Sequence, residues 1–334
     1  MREAREVRWS FQAEGPCSFS LPCGGAADVY STSTMIRILG TIFAGLLGLA
    51  FGSFLNVCLS RWPAGESVVE PRSHCRQCGR TLAWWENVPL VSWVALRGRC
   101  RSCKSWIGWR YPVVEAAVAL LWALAAWQAL ILMQNLIAYN SFPLRWIGID
   151  LLHFLGNLVF IWLLAALLFL DVEYLWLPDK LTLPSILLGF LYRFGDYLFH
   201  HGLSLQQTDT TPSMLGTLLT QALSILVAAG LILLIRWVYW LIRRREGVGL
   251  GDAKLMAMLA AWLGLSGALL AFALGVVLGS VVGLVLLLMP SGRLKTGAWA
   301  AKKLPLGTFL CIGGIVSSLW GERLIGIYRG WAGF

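Results

Sequence analysis

The run from Ile147 to Asp171, IGIDLLHFLGNLVFIWLLAALLFLD, decides the architecture. A helical crossing of a bilayer core takes roughly 20 apolar residues, and this run supplies one before it closes on a carboxylate. Working outward, similar apolar runs occupy about Ile36–Leu59, Val113–Met133, Leu181–Phe199, Met214–Ile242, Ala253–Leu265, Ala268–Met289 and Leu304–Trp320. Apolar residues make up 58% of the chain and charged residues 13%, too little polar surface for a water-soluble globule. The expectation is an all-α polytopic membrane protein of about eight transmembrane helices, embedded in the lipid bilayer, with no large soluble domain.

The formal charge of +10 does not point to nucleic acid. The cations fall in short segments between apolar runs, where they set orientation by the positive-inside rule. Between Arg61 and Arg110 stand nine basic residues against three acids, which assigns that segment to the cytoplasm. Threading the spans alternately then brings Arg243, Arg244, Arg245, Lys254, Arg293, Lys295, Lys302 and Lys303 to the same side, while the loop from His200 to Ser213 has no Lys or Arg. Many of the 18 tryptophans suit a headgroup boundary. Glycines four residues apart, Gly48 with Gly52 and Gly275 with Gly279 and Gly283, are expected to let helices pack closely.

The organisation reads as a polar N-terminal extension (1–34), a first transmembrane helix (35–60), a cytoplasmic cysteine-bearing insert (61–112) and a membrane domain (113–334). The extension has no apolar core of signal-peptide length. Met35 directly precedes the first apolar run and is the expected translation start, the alternative being a disordered extension.

Two acids adjoin apolar runs, where a charge is costly and is retained for a task. Asp171 ends the opening run in Leu170-Asp171-Val172-Glu173, followed by Leu177-Pro178-Asp179, and Asp252 follows Gly249-Leu250-Gly251 at the head of the next. Alternation places both on the cytoplasmic side. Each has a structural explanation: Asp252 as a helix N-cap, Asp171 as an interfacial side chain. Together they form a candidate catalytic pair, since two carboxylates in one site share a proton and activate water, and Gly249 and Gly251 leave backbone open to a peptide. A carboxylate at a helix N-terminus is favoured in its charged form, so Asp252 is expected to be the ionised partner and Asp171 to hold the proton.

These motifs, Asp171 to Asp179 and Gly249 to Lys254, resemble the two active-site motifs of the type IV prepilin peptidases, membrane aspartic peptidases of the Gly-x-Gly-Asp type. Gly52-Ser53-Phe54-Leu55-Asn56-Val57, Arg61-Trp62-Pro63, Asn87-Val88-Pro89 and Arg110-Tyr111-Pro112 with Glu115 are similar to the same family, and the resemblance runs from about Met35 to Trp320. It implies an inner-membrane enzyme of bacteria that removes the basic leader of prepilins or pseudopilins at the cytoplasmic face. Asp171 and Asp252 carry over as catalytic, with Gly249, Gly251, Glu173, Asp179 and Lys254 in supporting positions. A second activity is also implied, N-methylation of the new terminal residue from S-adenosylmethionine, for which no residue is singled out.

Cys75-x-x-Cys78 and Cys100-x-x-Cys103 are separated by 21 residues, near the spacing of a four-thiolate zinc ribbon. Four thiolates leave no open coordination position, so the expected role of Zn2+ is structural. A redox pair or two disulfides is the alternative, disfavoured in a reducing compartment. His74 reads as a surface neighbour, and Cys17, Cys23, Cys58 and Cys311 as unpaired, the last two buried in helices. The rival functions are a proton-coupled transporter using Asp171 and Asp252 and a non-enzymatic anchor displaying a zinc ribbon. The first calls for acids near the bilayer midplane, and the second leaves the aspartates unexplained.

Overall fold

The computed structural model describes residues 24–138, 144–201, 213–245, 249–288 and 305–333. Cys17, Cys23, most of the polar extension and the cations Arg293, Lys295, Lys302 and Lys303 lie outside the described residues. The described chain is helical: α1 (Gly24–Arg61), α2 (Val91–Ala95), α3 (Arg110–Ala138), α4 (Leu144–Tyr174), α5 (Asp179–His201), α6 (Met214–Arg243), α7 (Leu250–Leu288) and α8 (Leu306–Ala332). Six are long and apolar enough to cross a membrane, all but α2 and α5.

The eight expected spans map onto seven long helices because α7 takes up two of them. Run straight, its 39 residues would extend about 58 Å, nearly twice a bilayer core. Helical geometry breaks at Gly264 (φ 73°, ψ 178°), a conformation that costs glycine least. Packing against α8 traces the course of the chain on either side of the break. Gly314 of α8 meets Leu259, and Gly307 approaches the same Leu177 side chain that Gly251 faces, so the first arm of α7 runs alongside α8 in the same direction. Beyond Gly264 the order reverses: Ser317 donates to the Gly267 carbonyl at 2.9 Å, Gly313 packs on Ala271 and Gly275 on Phe309. α7 is therefore a helical hairpin, and its two arms correspond to the two apolar runs read from the sequence.

α4 lies at the centre, with 61% of its most apolar window buried inside the protein, the largest share of any candidate span. Leu164, Leu167 and Leu170 of α4 and Met256, Met258 and Leu259 of α7 are fully buried, and Leu310 and Cys311 of α8 complete this layer. α1 packs chiefly on α3. A Cβ on Gly48 would stand 2.7 Å from the Ala119 Cα, and one on Gly52 2.7 Å from the Glu115 Cα, so these glycines set how closely the two helices approach. Gly275 and Gly279 do the same against Phe309. Cys58 and Cys311 are buried in α1 and α8, as expected.

Gly52→Leu is expected to lower the stability of the folded protein by about 1–3 kcal/mol through overpacking, read as a shift in detergent-induced unfolding. Substitution at exposed Leu46 of the same helix is expected to leave the transition in place.

Candidate active site and metal centre

Asp171 sits in the last turn of α4, which ends where Leu175 turns into the left-handed region (φ 51°) and its N–H closes on the Asp171 carbonyl at 2.9 Å. The carboxylate is 6% exposed. Its Oδ2 accepts two hydrogen bonds from one residue of α8, the Thr308 N–H at 2.6 Å and the Thr308 hydroxyl at 3.0 Å. Asp252, 9% exposed, lies in the first turn of α7, where its Oδ2 accepts the Gly249 N–H at 3.2 Å. Among the described residues Oδ1 of each carboxylate has no protein donor, which leaves it for water or substrate.

Both carboxylates thus rest on the N-terminal turn of a helix, Asp252 on α7 and Asp171 on α8. The expected asymmetry, with Asp252 favoured as the anion and Asp171 as the acid, considered only the helix to which each aspartate belongs. The α8 N-terminus offers Asp171 its own donors and dipole, so that basis for dividing the roles is gone.

The heads of α7 and α8 converge on Leu177. A Cβ on Gly251 would lie 3.2 Å from its Cβ, and one on Gly307 would lie 3.0 Å from its Cδ1 and 2.9 Å from Asp171 Oδ2. These two glycines let the heads of α7 and α8 close on the Leu177 side chain, which brings the aspartate-bearing segments together.

The remaining sequence candidates form ion pairs around this pair. Lys254 reaches Asp179 at 2.5 Å, tying the head of α7 to the head of α5. Glu173 pairs with Arg110 at 2.8 Å, tying the end of α4 to the start of α3. Thr308 and Gly307 were not singled out in the sequence, although a glycine and a hydroxyl following a proline at the head of an apolar run were a usable signal. Glu115, 7% exposed, takes the Leu90 N–H at 2.8 Å and so anchors the insert to α3.

Within the insert, the two Cys-x-x-Cys segments fold as copies of one turn. Cys75 N–H bonds the Arg80 carbonyl and Gly79 N–H the Cys75 carbonyl, while Cys100 N–H bonds Ser105 and Lys104 N–H bonds Cys100, all at 2.9–3.0 Å. Gly79 and Lys104 hold equivalent left-handed positions (φ 68° and 58°). Single bridges, His74 to Thr81 and Arg99 to Trp106, close the two turns. His74 is exposed and turned to the Arg72 carbonyl, away from the cluster. The four thiols lie within 4.8 Å of one another, a cluster able to hold a metal ion. The Cys78 N–H directed at Cys75 lowers that thiol, while Cys78, beside the other three thiols, is raised, so the cluster shares its protons until a metal displaces them. Arg80 and buried Glu86 brace the turn at 2.5 Å, and the Ala83 N–H, with Arg80, holds the Glu86 carboxyl below its ordinary range.

The fold and site define a polytopic membrane protein with a buried aspartate pair and a four-thiol insert. The Bacterial Peptidase A24 N-terminal domain matches residues 46–129, and the type IV leader peptidase family matches residues 158–284. Relatives named prepilin leader peptidase/N-methyltransferase occur in Pseudomonas aeruginosa (32% identical, covering 92% of this chain and 98% of the relative), Stutzerimonas stutzeri (33%, 85% and 91%) and Aeromonas hydrophila (32%, 84% and 90%). The chain belongs to the type IV leader peptidase family. No solved structure matches it. The transporter reading finds no support in these relatives. The four cysteines fall in the first matched region and both aspartates in the second, while Thr308 lies beyond either.

The purified protein is expected to carry one divalent ion per chain, and Cys75→Ser with Cys100→Ser to abolish it, as measured by elemental mass spectrometry. Retention of the ion by the double variant would rule out the four-thiol site.

Proposed function

We propose that the chain is a bifunctional enzyme that cleaves the basic leader from prepilins or pseudopilins and N-methylates the residue thereby exposed. The observation that carries the peptidase reading is the pairing of Asp171 and Asp252 at the heads of two helices, each with one carboxylate oxygen left over. Two neighbouring carboxylates do not both ionise readily. The ionised one takes a proton from water as its oxygen attacks the scissile carbonyl. The protonated one donates to the carbonyl oxygen, and a proton then passes to the leaving amine as the C–N bond breaks. The titration belongs to the pair, so no fixed acid and base are assigned. Gly249 and Gly251 are proposed to offer backbone to the substrate, and the Lys254–Asp179 and Arg110–Glu173 pairs to hold the helix ends around the site.

Zinc suits the four thiols. A tetrahedron of thiolates with bonds of about 2.3 Å has edges of about 3.8 Å, and the sulfurs of Cys75 and Cys103 are 3.7 Å apart. Its role is structural, since it knits a 61–112 insert that has little core of its own. S-adenosylmethionine supplies the methyl group when bound. A cavity of about 460 Å³ between α1 and the insert has the size for a nucleoside, and Phe54, Trp84 and Arg72, which line it, would hold the donor there. The clustering of cations between Arg61 and Arg110 supports a cytoplasmic orientation for this face, in the inner membrane.

Asp171→Asn and Asp252→Asn are each expected to lower cleavage of a purified prepilin at least a thousandfold while the protein stays folded. Normal cleavage by both would overturn the peptidase assignment. Thr308→Val, which removes one hydrogen bond to a carboxylate worth about 1.5–3 kcal/mol, is expected to reduce kcat about tenfold or more and to shift the pH–rate profile, with Thr308→Ser restoring both.

A further inference from the structure

A second concavity, of about 480 Å³, opens in the insert where Arg97, Arg99, Arg101 and Lys104 converge beside Trp106. No carboxylate lines it, and Cys100 of the thiol cluster forms part of its wall. None of the four cations forms an ion pair with a described residue; Arg101 lies over the face of Trp85, 5.1 Å from the ring centre, and its charge also acts on Glu86. Four thiolates holding one divalent ion would carry a formal charge of −2, which offsets only part of this group of cations. Like charges gathered around a hollow call for an anion.

The position of the hollow says which anion. Trp109 immediately precedes Arg110, the first residue of membrane helix α3, so it stands at the bilayer boundary. Trp93 and Trp106 cluster with it, at centroid distances of 4.5 Å and 6.0 Å from Trp109. Gly98 makes this cluster possible, because a Cβ there would lie 2.7 Å from the Trp106 ring and 2.9 Å from that of Trp93. Gly98 is flanked by Arg97 and Arg99, so the packing that seats the aromatic rings also sets the backbone from which these two cations project. The apolar surface continues outward: Trp106 and Trp109 are 55% and 62% exposed, as are Val91 and Val94, at 63% and 67% and about one turn apart on α2. Exposed tryptophans sharing a side chain with a cationic hollow match the headgroup layer, where rings take the interface and cations take phosphates.

We propose that this hollow binds the phosphate of an anionic phospholipid headgroup and that the insert rests on the bilayer through it. Trp106, which lines the hollow, packs on Trp109, the residue before Arg110, and the Arg110–Glu173 ion pair links the insert to the end of α4 that carries Asp171.

The test titrates phosphatidylglycerol or phosphatidylcholine of the same chain length into the detergent-purified full chain and counts bound lipid by native mass spectrometry. Each cation near the headgroup layer is worth about fivefold. The wild type is expected to prefer phosphatidylglycerol at least tenfold, and Arg97→Gln with Lys104→Gln to lose at least tenfold of that affinity. Arg76→Gln with Arg245→Gln, which removes the same charge at exposed positions away from the hollow, is expected to lose less than threefold. Metal content reports whether each variant folds, and the single substitutions Arg97→Gln and Lys104→Gln, each expected to cost about fivefold, provide the same reading with less perturbation. Equal affinity for the two lipids, equal losses in the two double variants, or displacement by millimolar inorganic phosphate would each overturn the proposal, the last by making it a site for a free anion.

Discussion

A carboxylate buried where a bilayer begins keeps its place only if donors are brought to it, and in this protein helix N-termini bring them. Asp171 takes both donors of Thr308 at the head of α8, and Asp252 takes the Gly249 N–H at the head of α7. Much of the membrane domain is set by that arrangement. α8 must start at the level where α4 ends, and α7 must start beside both. Gly307 and Gly251 have no side chain to keep those heads off Leu177.

The same requirement explains the hairpin of α7. Its first arm runs from Asp252 alongside α8, and the turn at Gly264 sends the second arm back along another face of α8, against Ser317, Gly313 and Phe309. α8 is thereby gripped over its length, and the Thr308 donors are held at a fixed height against Asp171. The insert is tied into the same frame by Glu115 on Leu90 and by Arg110 on Glu173. A change in the insert can therefore reach the aspartate face without contact with either carboxylate.

How legible this was depends on whether a feature is local. The apolar runs mark their helices because hydrocarbon imposes a length on every crossing. Even the two runs on either side of Gly264 were separable, since a glycine and a serine interrupt them. The Cys-x-x-Cys spacing carried the thiol cluster, because a metal site needs pairs of ligands on short turns. Glu173, Asp179 and Lys254 came into view only as positions matched by the family resemblance, and neither the Arg110–Glu173 nor the Lys254–Asp179 pairing was assigned.

By itself the sequence determined that this is a membrane protein of many helices, that two aspartates stand at the ends of apolar runs, and that four cysteines are spaced for one metal. All of these come from composition and short-range pattern. Only the tertiary structure decided which donors each aspartate receives. Thr308 lies 137 residues from Asp171, and a hydrogen bond between such distant positions leaves no periodicity to read. It therefore also decided that the two carboxylates occupy similar settings, each at a helix N-terminus, where the chain read locally had made one a helix start and the other a helix end.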